Sequence, residues 1–213
     1  MIKSKDRSGW FGASDTKFIV GNFGTETFKN WWAEKLGIIK NDFQNKYTLA
    51  GTHYEHKILD AYQKCNKDKQ VRIKALKLRV NLDGDTGNEI LEVKTHKGRF
   101  NLSKAYREQV IVQMFATGIK KAKIISYQMT DAEYDNYFLP IDVERIQEHP
   151  IQFDKHFITN VYLPRLLYLR ECLRKGKMPS EIDMRKAKAI NGFRKRRDDY
   201  IISNLLRKQE KCR

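Results

Sequence analysis

In the segment VNLDGDTGNEILEVKT, residues 80–95, carboxylates and an ammonium recur at spacings that two paired strands would bring together. Asp83 closes one β-like run, and Glu92 and Lys94 lie two apart on the next, so strand alternation puts both on one face. Paired as a hairpin, the two runs bring Asp83, at the mouth of the turn, towards Glu92. Carboxylates gathered in this way repel one another unless a cation joins them. Hard oxygen donors suit Mg2+ or Mn2+, and Mg2+ keeps waters that can be turned into nucleophiles. Lys94 beside them would orient such a water or neutralise charge developing on a phosphate. Asp85 lies in the same turn and competes with Asp83 for this role. A bare D…ExK string also describes an ordinary hairpin with a charged solvent face. Against that reading, Ile90, Leu91 and Val93 make a half-buried strand that nonetheless presents an acid and a base together.

The elements that must position these groups follow from periodicity. Phe28, Trp31, Trp32 and Leu36 recur at helical spacing over residues 26–36, with Gly37 placed to end the helix. A second helix spans 48–64, with Tyr54, Ile58, Ala61 and Tyr62 on one face and Glu55 and His56 beside it. Strands are expected over 71–82 and 89–95, and Ser103 caps a helix through Tyr106, Gln109 and Gln113 that ends at Gly118. Further strands are expected over 122–129 and 136–143. A helix over 151–175 is expected to kink or divide at Pro164. This order gives an α/β or α+β class, a sheet covered by helices.

The 213 residues suffice for one substantial core, read as a domain over 1–178 and a basic, helical extension over 179–213. Lys and Arg number 42 against 26 Asp and Glu, a formal charge of +16, which points to a polyanion such as nucleic acid. In the extension, Arg194 to Arg197 interleave with Ile190, Phe193, Tyr200, Ile201, Leu205 and Leu206, a pattern that serves either DNA contact or packing on the domain. Cys65, Cys172 and Cys212 form no pair at zinc or disulfide spacing, and with no apolar span or secretory leader the expected compartment is cytoplasmic, with no membrane association. The histidines at 53, 56, 96, 149 and 156 lack the zinc-protease pattern and are read as structural or exposed.

Several segments, in order, resemble the YqaJ-like viral recombinase family, the lambda-type phage exonucleases of the PD-(D/E)xK superfamily. RSGWFGAS, residues 7–14, is similar to the family's N-terminal arginine and serine motif; GTHYEHK, residues 51–57, to its G-x-x-Y-E helix; and YREQVIVQM, residues 106–114, to its Y-x-x-Q-V-Q helix. Where the family has a second glutamine this chain has Ile111, and Gln113, four after Gln109, shares a helix face with it.

The resemblance implies a restriction-endonuclease-like core with a central mixed sheet, and it selects Asp83 over Asp85. It implies that Asp83, Glu92 and the carbonyl of Val93 hold the divalent metal, that Glu55 assists it, that Lys94 and Gln109 belong to the catalytic set, and that Arg7 and Ser14 receive a terminal 5′-phosphate. The implied activity is 5′-to-3′ degradation of double-stranded DNA from its ends, with a single-strand annealing protein as partner and a homotrimeric assembly. An endonuclease of defence or repair is the competing enzymatic reading, and an inactive DNA-binding module the non-enzymatic one. Clustered carboxylates that repel phosphate argue against the latter.

Overall fold

Strand and helix periods resolve into one mixed sheet with helices on both faces. The computed structural model describes residues 7–40, 45–189 and 196–210. Its strands are β1 (Asn66–Ile73), β2 (Leu78–Asp85), β3 (Glu89–His96), β4 (Lys121–Gln128) and β5 (Ile146–Ile151), hydrogen-bonded in that order. The helices are α1 (Thr16–Ile19), α2 (Glu26–Lys35), α3 (Lys46–Tyr62), α4 (Lys104–Thr117), α5 (Asp131–Asp135), α6 (Leu163–Arg174), α7 (Glu181–Ala189) and α8 (Arg196–Glu210). Neighbouring strands are antiparallel except β3 and β4, whose parallel pairing requires a crossover. Helix α4 supplies it.

Alternation along β3 divides the interior. Ile90 enters the larger core with Val110, Met114 and Ile124 beneath α4, while Leu91 and Val93 enter a smaller one with Tyr54, Ile58 and Leu59 beneath α3. The N-terminal motif is fixed to the larger core. Phe11 bridges to Leu78, and buried Asp15 accepts from Trp31 Nε1 at 3.0 Å and the Gly12 amide at 2.7 Å while pairing with Lys35 at 2.6 Å.

Helix α8 also packs on this side. Ile202 and Leu205 are buried, Gln209 Nε2 donates to the carbonyls of Met114 and Ile119 at 2.6 and 3.1 Å, and Arg170 grips Asp198 through two bonds of 2.8 and 2.9 Å. Ile190, Phe193, Arg194 and Lys195 lie outside the described residues. Among the described residues, no helix is long and apolar enough to cross a membrane.

Three expected elements differ. The run over 71–82 is two strands, broken by a 3-10 turn at Lys74–Leu76 and by Lys77 in the left-handed conformation (φ 53°), a position that glycine would have announced. The strand expected over 136–143 is a loop. Tyr54 Oη and Lys57 Nζ occupy its carbonyls, and the edge strand is β5 instead. Pro164 neither kinks nor divides α6. It sits in the first turn, where no amide donor is needed, and the irregularity lies before it in a π-helical turn, Phe157–Tyr162.

Candidate active site

The ladder between β2 and β3 consists of Gly84 with Leu91 and Asp85 with Ile90. Just past it, Asp83 Oδ2 accepts the Val93 amide at 2.8 Å, so a carboxylate takes the donor where backbone pairing stops. This fixes the Val93 peptide beside the acids. Asp85 has a different task. Fully buried, it accepts from the Gly87 amide at 2.7 Å and pairs with Lys69, which ties the turn together.

Glu92, 2% exposed, is held by three donors. Its Oε1 accepts from Lys94 Nζ at 2.5 Å and from Gln109 Nε2, and its Oε2 accepts from Gln113 Nε2 at 2.5 Å. The two amides come from successive turns of α4, whose entry is capped by Ser103 accepting from the Tyr106 amide at 3.2 Å and whose exit is Gly118 at φ 78°. Gln113 also donates to the Asn81 carbonyl at 3.3 Å, which ties α4 to β2. The Lys94 ammonium lies 5.2 Å from the centre of the Tyr106 ring.

Glu55 arrives from α3, on the opposite face of the sheet. Its helix comes close because two glycines leave room. A Cβ on Gly51 would lie 3.1 Å from Thr95 Oγ1, and one on Gly84 would lie 3.0 Å from Leu59 Cδ2 and Cys65 Sγ. Burial, then the charges of Glu92 and Glu55, pushes the Asp83 carboxyl well above the usual carboxylate range. Burial and then Glu92 raise Glu55 as well, with Asp68 adding to the effect and His56 and Lys94 opposing it. For Lys94, burial opposes the charge, but Glu92 and Asp83 outweigh it and hold the ammonium protonated.

Three carboxylates therefore face one ammonium. The donors are hard oxygens, and their mutual repulsion is what a divalent cation relieves, so the set fits Mg2+ or Mn2+. Strand spacing brings Glu92 and Lys94 together with an acid of the turn, the family resemblance adds Gln109 and selects Asp83, and the structure makes Gln113 an equal partner of Gln109. Arg7 is exposed, and Ser14 is exposed in the turn Ala13–Asp15; neither has a hydrogen bond or ion pair to the carboxylates among the described residues. Asp68, which bears on Glu55, sits on β1, and nothing local in the sequence signals it.

No family model and no curated protein matches the chain. Solved structures do. An alkaline exonuclease from Laribacter hongkongensis aligns over 87% of this chain and 95% of its own at 18% identity, with a TM-score of 0.56. The chain has the fold of that exonuclease. The same enzyme in complex with dAMP aligns over 80% of this chain and 94% of its own, at 19% identity and a TM-score of 0.55. A phage-related exonuclease from Haemophilus somnus aligns over 78% and 94%, at 18% identity and a TM-score of 0.54. The expected α/β core, a mixed sheet flanked by helices, is the one observed.

Proposed function

We propose that this chain is a metal-dependent DNA exonuclease that degrades linear double-stranded DNA 5′ to 3′ and leaves 3′ single-stranded ends for viral or prophage recombination. The observation that carries this reading is the grip on Glu92 by Lys94, Gln109 and Gln113 beside Asp83, in a fold shared with exonucleases. Asp83, Glu92 and the Val93 carbonyl would hold Mg2+, or Mn2+ in its place, with Glu55 alongside. When bound, the ion polarises a phosphate and makes water a competent nucleophile at neutral pH.

The chain's own residues supply orientation and charge. The amides of Gln109 and Gln113 fix the plane of the Glu92 carboxylate, and Asp83 is fixed by the Val93 amide. Lys94 stays protonated and sets a fixed positive charge beside the oxygens on which negative charge develops. A net charge of +16 draws the duplex to the surface through its phosphates. Arg7 and Ser14, a guanidinium and a hydroxyl, suit a terminal 5′-phosphate. A single-strand annealing protein acting on the product, a homotrimer enclosing the duplex and work in the cytoplasm of a host cell belong to the same proposal.

The test is digestion of linear duplex labelled at either 5′ or 3′ ends, with and without 5′-phosphate, beside a covalently closed circle, in Mg2+ or EDTA. The expected result is Mg2+-dependent release of the 5′ label first, faster from phosphorylated ends, with the circle intact. Loss of the circle would make the enzyme an endonuclease, and retention of all label with tight binding would make it a binding module.

A further inference from the structure

Beside the Asp83–Glu92 pair, a second set of metal-ligating side chains converges among the described residues. Ligand atoms of Glu55, His56 and Asp68 all lie within 4.8 Å of one another, and His56 Nε2 stands 3.4 Å from Asp68 Oδ1. Two elements contribute. Glu55 and His56 are successive residues of α3. Asp68 lies on β1 across from Asp83, where the ladder with β2 lacks a pair although the register is the same on either side, Lys67 opposite Gly84 and Lys69 opposite Leu82. Its φ of +57° is left-handed, outside the extended region, and interrupts the ladder at this residue. The Glu55 side chain makes no hydrogen bond among the described residues and feels the charges of both Glu92 and Asp68. The acids at 55, 68, 83 and 92, drawn from α3, β1, β2 and β3, thus act on one another electrostatically.

We propose that Glu55, His56 and Asp68 form a second cation site, one that takes a borderline divalent ion such as Mn2+, Co2+ or Zn2+ in preference to Mg2+, with Glu55 shared between this site and the Asp83–Glu92 pair. Ligand chemistry sets the preference. An imidazole nitrogen suits borderline ions, whereas all-oxygen sets suit Mg2+. Donors about 2.1 Å from an ion in tetrahedral array stand about 3.4 Å apart, so His56 and Asp68 are already at ligand spacing and modest side-chain rotation closes the set on Glu55. His56 is 46% exposed and Asp68 25%, which leaves an entry path and room for water or a phosphate oxygen in the remaining positions. The site itself does not depend on the nuclease reading. Its use as a second positive charge beside a DNA phosphate rests on that reading.

The experiment is equilibrium dialysis with Mn2+ on the full chain, together with the visible spectrum of added Co2+, for wild type, His56→Ala, Asp68→Asn and Glu92→Gln. Wild type is expected to bind two Mn2+. His56→Ala and Asp68→Asn should each weaken one of them at least tenfold and remove the imidazole contribution to the Co2+ spectrum. Glu92→Gln should keep an ion that still depends on His56, so the inference survives even where the Asp83–Glu92 proposal fails. Circular dichroism checks that each variant is folded. His56 and Asp68 are partly exposed, so their replacement leaves the core untouched. Unchanged Mn2+ stoichiometry and affinity in both the His56 and Asp68 variants would overturn the site. So would a single ion lost in Glu92→Gln but kept in His56→Ala, a result that leaves the proposed activity standing. A wild type that binds neither Mn2+ nor Co2+ at millimolar concentration would overturn it as well.

Discussion

Gln113→Met removes an amide from the grip on Glu92 without changing the length of the side chain. The position is 1% exposed, and the lost bonds are those from Nε2 to Glu92 Oε2 at 2.5 Å and to the Asn81 carbonyl at 3.3 Å. A hydrogen bond to a charged group contributes about 1.5–3 kcal/mol. If that energy holds Glu92 in the orientation a cation needs, its loss weakens divalent-ion affinity about 10–100-fold, the range seen when residues that orient metal ligands are removed. Folding stability should fall by less, because Gln113 Oε1 is buried without a hydrogen-bond partner among the described residues and its removal relieves a desolvated polar atom. The assay is Mg2+ titration of DNA degradation beside calorimetric Mn2+ binding, with Tm measured in EDTA. Expected is a large rise in the Mg2+ concentration for half-maximal activity, a kcat recovered at saturating Mg2+ and a small change in Tm. Wild-type ion affinity in a folded Gln113→Met protein would refute the view that α4 orients Glu92. Gln109→Met, acting on the other oxygen, should give a shift of the same order.

Asp83→Asn should abolish Mg2+-dependent degradation, whereas Asp85→Asn should leave the folded enzyme active and cost about 1–3 kcal/mol of stability, since it weakens a buried, hydrogen-bonded carboxylate; kinetics and denaturant unfolding of the two separate these effects. Gly84→Ala places a methyl 3.0 Å from Leu59 and Cys65 and should destabilise the chain by about 1–3 kcal/mol, read as a lower Tm, with α3 and therefore Glu55 displaced. The pH dependence of stability follows from the raised carboxyls of Asp83 and Glu55, which keep protons in the folded state that the unfolded chain has already released. Their contribution is fully present below about pH 4, the range of unperturbed carboxylates, and is lost as pH rises through the raised folded values. Metal-free protein should therefore lose Tm over that interval, and saturating Mg2+ should suppress the loss. A metal-free Tm that rises through the interval would contradict the electrostatics of the cluster.

The central part of the site was legible because its geometry is local. Glu92 and Lys94 are two apart on a strand, Asp83 is across a tight turn, and Gln109 and Gln113 are one helical turn apart, so each relation is fixed by a backbone period. The buried Trp31 and Trp32, and the capped helix from Ser103 to Gly118, followed from the same kind of rule. What stayed hidden depends on tertiary override. Lys77 turns the chain at a positive φ without a glycine to announce it. The carbonyls of Asn136, Tyr137 and Leu139 are claimed by Tyr54 and Lys57 from a helix about 80 positions earlier. His56 reads as structural because the histidines lack the zinc-protease pattern, and Asp68 reaches it from a different element, β1, at a positive φ that no glycine marks. The assignment of Asp83 over Asp85 came from a family resemblance, and its physical reason is visible only in space: one carboxylate points at the Val93 peptide, the other at the turn.

The most direct test of the assignment is single-turnover degradation of 5′-phosphorylated linear duplex by Glu92→Gln and Lys94→Ala in saturating Mg2+, with duplex affinity measured on the same preparations. Each variant is expected to lose at least a thousandfold in rate, about 4 kcal/mol of transition-state stabilisation, while binding duplex within a few-fold of wild type. Degradation at near wild-type rate by either folded variant would contradict the placement of the active site at Asp83, Glu92 and Lys94.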